Sequence, residues 1–234
     1  MIATIVNCLT VIICGLLGTV FKKYINDKYT TAILTGLSIV VAVIGMGYAL
    51  KTENTLCMII CMVAGIFLGE ALRIEDRLEG LGEIIKNKLI PEQHRDSTFV
   101  QSFVSGSLLF CIGSMAIVGS MEAGINGDIS IILSKSVIDG IAALSFAISL
   151  GVGVVFAGFS VLLYQGALTL LAVQVAPFLA EAVVTEMSAV GGVLMIGIAV
   201  NMMGLAKIKV GNMLPCIFLP LLYMPLSNWL TSLF

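Results

Sequence analysis

Apolar residues run through this chain in long blocks, broken only by short polar segments. Eight blocks are long enough to predict helices that cross a bilayer, each needing about 20 mostly apolar residues. They are 2–21, 31–50, 54–73, 99–121, 129–153, 156–180, 187–206 and 210–233. The run 140–180 is too long for one crossing and is divided near Gly158. Left undivided, it gives seven spans and moves the C-terminus to the other side. The expected fold is all-α, a single polytopic transmembrane bundle over residues 1–234.

Composition agrees with that pattern. Of 234 residues, 59% are hydrophobic and 11% charged, where soluble domains carry roughly 45–50% and about 25%. Basic residues test the span count. Lys22, Lys23 and Lys28 follow span 1; Arg73, Arg77, Lys86, Lys88 and Arg95 follow span 3; Lys207 and Lys209 follow span 7. With eight spans these loops share one side, leaving only Lys51 and Lys135 opposite. Basic loops stay in the cytoplasm, so both termini are expected outside. The segment 73–97 is then cytoplasmic. Within it Leu78, Leu81, Ile85 and Leu89 recur at helical spacing. That predicts an amphipathic helix lying on the membrane surface or on the other helices, ended by Pro91.

The remaining composition mainly excludes. A net charge of -2 gives no reason to expect nucleic acid as a partner. The single histidine, His94, lies in a charged loop. Six cysteines sit in apolar runs and read as buried thiols that pack as small hydrophobes. Their spacing suits no zinc site or disulfide framework, so neither metal nor cofactor is expected. Residues 1–20 lack a basic segment ahead of the apolar run and do not read as a cleaved signal. No HExxH, GxSxG, Walker loop or dinucleotide fingerprint appears, so no catalytic residue is assigned and an enzyme is not expected.

Two short turns, KTEN at 51–54 and AKIKVGN at 206–212, join spans 2–3 and 7–8 into hairpins. This arrangement suggests that spans 1–3 recur as spans 6–8, inverted across the membrane, as in many secondary transporters. Residue matches are sparse, and chance likeness between apolar hairpins is the competing account. Spans 4 and 5 would stand between the copies, and they are the most polar. Span 4 carries Gln101, Ser102, Ser105, Ser107 and Ser114 among several glycines, which suits close helix packing.

The most informative stretch is GINGDISIILSKSVIDG, 124–140. Asn126, Gly127 and Asp128 read as a turn and helix cap, with a helix from Ile129. Lys135 and Asp139 are four apart and share a face. A lone charge at the centre of a membrane helix costs roughly 2.5–3.5 kcal/mol or more, which makes such residues functional candidates. A structural ion pair that fixes helix register is the bland alternative. Glu122 precedes the turn as an acid at the outer rim. Glu186 is expected in the first turn of span 7, where the helix dipole favours an acid, followed by Ser188, Gly191 and Gly192. Those glycines imply close helix approach or a break. Asn212 can cap span 8 or bond a ligand, and Pro215, Pro220 and Pro225 free carbonyls along that span. Asn7, Gln165 and Asn201 read as interhelical hydrogen-bonding groups.

SAVGG at 188–192, VGNMLP at 210–215, INGD with SKSVIDG at 125–140, and GIFLGE at 65–70 occur together. In this the chain resembles the bacterial YdfK/YqgA-type integral membrane family, a domain of unknown function. The resemblance covers essentially the whole chain. It implies a polytopic inner-membrane protein, described in general terms as a transporter, and it brings no assigned role for any residue. The expected function is a transporter or channel for an ion or small polar solute, its path flanked by Lys135, Asp139, Glu186, Ser188, Asn212, Glu122 and Gln101. A homodimer in the bilayer is the expected assembly. The alternative is a non-transporting scaffold or sensor that docks a partner through 73–97.

Overall fold

The computed structural model describes residues 1–89 and 99–231. Pro91, His94 and Arg95 lie outside them. The first four helices are α1 (Ile2–Lys22), α2 (Asp27–Ala49), α3 (Thr55–Leu72) and α4 (Ile74–Leu89). Next come α5 (Phe99–Cys111), α6 (Ser114–Ile125), α7 (Ser130–Leu150), α8 (Gly153–Leu170) and the single turn α9 (Ala172–Val175). The chain closes with α10 (Glu181–Met202), α11 (Leu214–Phe218) and α12 (Pro220–Thr231), with a 3-10 turn over Val210–Met213 before α11. Among the described residues there is no strand.

Seven stretches are long and apolar enough to cross a membrane; α5 and α6, bent by 60°, supply an eighth if taken as one broken span. Their neighbours favour one span. At the start of α5, Val100 and Phe103 lie against Gly82 of α4. At the far end of α6, Gly124 meets Thr169 and Ala172 where α8 ends. The pair therefore runs from the α4 side of the molecule to the opposite side.

Several boundaries differ from the sequence reading. Span 4 is not continuous: Gly113 takes φ 119°, a conformation open to glycine but hardly to other residues, and α5 stops at Cys111. The division of the 140–180 run falls at Gly151, also at positive φ, rather than near Gly158. Gly158 sits inside α8 against Ile12 of α1. The helix at 73–89 forms, but Leu81 is 50% exposed; its packed face is Leu78, Gly82 and Ile85, because α4 leans on α5 and on the 3-10 turn. The corner from α3 into α4 is Arg73, whose φ of 49° closes α3 by capping the carbonyls of Gly69 and Glu70.

Packing does not follow chain order. α2 and α3 are consecutive, yet α2 packs along α10 and α3 against α11. α1 lies along α7 and α8. α10 is the most enclosed helix, with 78% of its spanning stretch buried against 17% for α2, so it is the axis of the bundle. Inside lipid no hydrophobic drive presses helix onto helix, so association relies on close packing, and small residues let backbones meet. Gly45 of α2 and Gly192 of α10 do this reciprocally. A Cβ on Gly45 would stand 2.7 Å from the Gly192 carbonyl oxygen, and one on Gly192 would strike the Gly45 carbonyl and stand 2.6 Å from the Ala49 nitrogen. The glycines of SAVGG thus serve close approach and do not break the helix.

Gly192→Val should separate α2 from α10 and cost about 1–3 kcal/mol, the usual range for overpacking. Gly80→Ala, at a position on α4 with nothing within 4 Å, should not destabilise. Thermal unfolding of the two variants in one detergent checks the contrast.

Candidate functional site

Lys135 and Asp139 rise one turn apart on α7 and are both buried, 6% and 5% exposed. Their side chains form an ion pair. The ammonium also donates to the carbonyl oxygen of Phe110 at 2.8 Å. That carbonyl lies in the last turn of α5. In an unbroken helix it would accept from the amide four residues on, which is Ser114, but the turn at Gly113 removes that bond. Hydrocarbon offers a freed carbonyl nothing; Lys135 satisfies it from the neighbouring helix. The charge pair and the helix break therefore form one structure.

Asp139 has a second donor. Asn7 of α1 gives Nδ2–H to Asp139 Oδ2 at 3.0 Å and to Gln165 Oε1 of α8 at 3.1 Å. Both amides are fully buried. Thr4 and Thr169 continue the column, with hydroxyls 3.5 Å apart. A polar file thus runs from Phe110 through Lys135, Asp139, Asn7 and Gln165 along the seam of α1, α7 and α8. Sequence reading noted Asn7 and Gln165 only as ordinary interhelical donors; their link to Asp139 depends on helix pairing, which no local pattern signals.

One cavity adjoins this centre, and two others lie on either side of the break. One of about 480 Å³ is mostly apolar, lies between α2, α5 and α7, and has Lys135 and Asp139 in its wall. One of about 600 Å³ opens on the α4 side, lined by Glu75, Gln101, Ser105, Asn201 and Lys207 among others. One of about 540 Å³ opens on the opposite side, lined by Tyr48, Ser114, Glu122, Glu181 and Ser188 among others. The last two share α10 and the broken span as walls. Between them the Ile112 side chain, at the break, rests on Gly191.

The predicted residues are therefore distributed and do not converge. Glu122 accepts from Asn126 at 2.6 Å and borders the cavity on the side opposite α4. Ser188 turns its hydroxyl back to the Val184 carbonyl at 2.7 Å. Gln101 is exposed to the α4-side cavity. Asn212 binds no open site: its Oδ1 accepts from the Glu75 amide at 2.7 Å. Glu186 needs the largest correction. α10 begins at Glu181, so Glu186 is inside the helix and not in its first turn. It is 1% exposed and accepts from the Thr52 hydroxyl at 2.7 Å and from the amides of Glu53 and Asn54 at 2.8 and 3.0 Å. Its carboxylate clamps the α2–α3 turn to α10. α7 starts at Ser130, one residue later than expected, with Ile129 in the cap position; Asp128 stands just before the cap and accepts from the Ser130 amide at 2.9 Å. The Ser130 hydroxyl, and after it the Ser130 amide, holds its carboxyl below the usual carboxylate range. Among the described residues no cluster of His, Cys, Asp or Glu could hold a metal ion.

On the α4 side Glu75 and Asn212 form a reciprocal clasp. The Glu75 carboxylate accepts from the Gly211 amide, and Lys209 pairs with Asp76 at 3.7 Å. Burial pushes the Glu75 carboxyl above the ordinary range, against the pull of the Gly211 amide and of Lys209.

An all-helical bundle with buried ion pairing, seven crossing helices and a broken eighth defines a polytopic membrane protein. The comparisons agree. The chain belongs to the family described as "Protein of unknown function (DUF554)", whose model matches residues 2–224. It is similar to the uncharacterized membrane protein YdfK of Bacillus subtilis (strain 168), 27% identical over 224 residues and 94% of each chain. It is also similar to the uncharacterized protein YqgA of Escherichia coli (strain K12), 28% identical over 235 residues, covering 100% of this chain and 99% of that one. No solved structure matches it.

The raised Glu75 value fixes a sign. The docked carboxyl holds its proton more tightly than a free one, so docking of α4 is strongest at acid pH and weakens as pH rises through the raised value. Glu75→Gln keeps an acceptor for Gly211 and removes the ionisation. Hydrogen exchange over 74–89 should fall on acidification in the parent protein and stay independent of that step in the variant, once intrinsic exchange is corrected.

Proposed function

We propose that this protein is a small carrier or channel for an ion or small polar solute, and that the path follows α10 past the break between α5 and α6. The observation that supports this best is the position of the break. A discontinuous helix at membrane depth, with a cavity towards each face, is how many transporters build a midplane site. Irregular backbone there is tolerated where it is enclosed by protein or lines a cavity. Ile112 on Gly191 would be the constriction, and Lys135 would govern it through the Phe110 carbonyl.

An inverted repeat adds to the reading. α1 packs on α8, α2 on α10 and α3 on α11, the contacts that a two-fold axis in the membrane plane would bring about for spans 1–3 and 6–8. Alternating access is the mechanism such a plan suits. The α4 side, rich in lysine and arginine, would face the cytoplasm of a bacterial cell, with both termini outside. A homodimer belongs to this reading, since Gly36 and Gly47 on α2 meet no atom within 4 Å and leave room for a second copy. No catalytic step is part of it.

The scaffold reading has one observation in its favour: Leu81 and Ile84 of α4 are exposed, 50% and 54%, on a helix expected to lie outside the bilayer. A double replacement separates the two. Removing one partner of a buried ion pair strands the other charge and destabilises by about 3–5 kcal/mol, while replacing both by apolar residues is often neutral. Here the double replacement Lys135→Leu with Asp139→Leu also strands the Phe110 carbonyl and the Asn7 amide, about 1–3 kcal/mol each, so it should fold with a lowered unfolding temperature, yet lose at least about tenfold of its flux, the ratio that about 1.4 kcal/mol produces. Proton, sodium and potassium flux in proteoliposomes, alongside unfolding temperature, is the measurement. Undiminished flux would make the pair structural. If the parent protein moves no ion or solute and only changes at Leu81 and Ile84 abolish its cellular role, the scaffold reading prevails.

A further inference from the structure

The polar file leaves two atoms unmatched. Asn7 Oδ1 and Gln165 Nε2 are buried and have no hydrogen-bond partner among the described residues. Their arrangement follows from the charge on Asp139. An ionised carboxylate only accepts, so Asn7 must present Nδ2 to it. The same Nδ2 then faces Gln165, which must answer with Oε1. Asn7 Oδ1 and Gln165 Nε2 are thereby turned away from each other's use. Each unmatched buried group costs about 1–3 kcal/mol, and turning both amides exchanges which atoms are unmatched without changing their number, so the charge on Asp139 alone decides the direction of the file.

A protonated Asp139 inverts the file. Its carboxyl becomes a donor. Asn7 can then turn its amide, with Oδ1 accepting from the Asp139 O–H and from a turned Gln165 Nε2–H together. Lys135 loses its charged partner and keeps the Phe110 carbonyl alone. Among the described residues the other titratable groups on the helices packed against α7 are few, and the lysines of α1 and α2, Lys22 and Lys28, sit at helix ends. Lys135 is the one cation beside Asp139. α1 offers the thiols of Cys8 and Cys14, α2 the phenol of Tyr48, α5 the thiol of Cys111, and α8 the phenol of Tyr164. α6 offers only Glu122, held by Asn126.

We infer that Asp139 is a proton-binding site, that Asn7 and Gln165 form an amide relay which reads its protonation, and that proton uptake releases Lys135 from the carboxylate of its own helix and leaves it held by the broken span alone. This deepens, and as a coupling mechanism rests on, the transport reading above. In chemical terms the carboxylate gains one proton from water and becomes a carboxylic acid; the other changes are rotations of amides and of the lysine side chain. The function it assigns is coupling to a proton gradient.

The test is infrared difference spectroscopy of the full chain in lipid bilayers as pH is lowered, with isotopically labelled Asn and Gln side-chain carbonyls. A carboxylic-acid carbonyl band should appear and be lost in Asp139→Asn. The labelled amide bands should shift with the same pH dependence, and this shift should be lost in Gln165→Leu. If Asp139→Asn does not fold, Asp139→Glu should move the band to another frequency and so assign it. Absence of an Asp139 acid band overturns the proton site. An acid band with unmoved amide bands overturns the relay. Band changes driven by sodium at constant pH would reassign the site to a metal cation and overturn the inference. No transported solute enters the readout, so a protein that titrates in this way and moves nothing would remove the transport reading and leave the proton site standing.

Discussion

An ammonium placed in hydrocarbon has to be surrounded by negative charge and carbonyl oxygen. In this protein that requirement organises the centre of the fold. Lys135 draws Asp139 from its own helix and Phe110 from the next. Because it takes a carbonyl from α5, the break at Gly113 is held by a side chain. Because Asp139 also receives Asn7, α1 is tied to α7 at the same level. Remove the ammonium and a freed carbonyl and a carboxylate are both stranded. The pair is thus worth more to the architecture than an isolated buried salt bridge, which usually does little better than an apolar pair of the same size.

Around this centre the bundle is assembled by contour and by clasps. The crossing of Gly45 with Gly192 brings two backbones together where lipid could not be squeezed out by larger side chains. At each face a polar clasp closes the turn before a spanning stretch. Glu186 gathers the amides before α3, and Glu75 with Asn212 joins α4 to the segment before α11. One clasp is deeply buried and takes several donors; the other is half-exposed, with a carboxyl whose ionisation opposes it. The two faces are therefore fastened with unequal firmness.

How much of this could be read from the sequence depends on the range of the force involved. Apolar blocks declare the spans because lipid demands them locally. An ionisable pair inside such a block declares itself for the same reason, so Lys135 and Asp139 stood out. The amphipathic helix at 73–89 followed from spacing, although Leu81 points the wrong way because the packing surface is set by α5 and not by the membrane. Glu186 was misplaced by one turn and more, since Ala180 gives no capping signal and the start of α10 is silent. The partners Phe110, Asn7 and Gln165 were unreadable as partners. A backbone carbonyl has no identity in a sequence, and the meeting of α1, α7 and α8 is decided by tertiary packing.

The pairing of α2 with α10 and of α3 with α11 has a bearing on biogenesis. During synthesis the first three helices emerge long before the surfaces that will cover them. Two of the earliest segments to enter the bilayer must wait, solvated by lipid, while most of the polypeptide is still to be translated. α1 finds α7 and α8 earlier, through the seam that carries the polar file, and α2 gains a smaller contact with α7. Final closure therefore falls to the last-made third of the chain, and a ribosome stalled before α10 would leave a membrane intermediate with its centre formed and its flanks open.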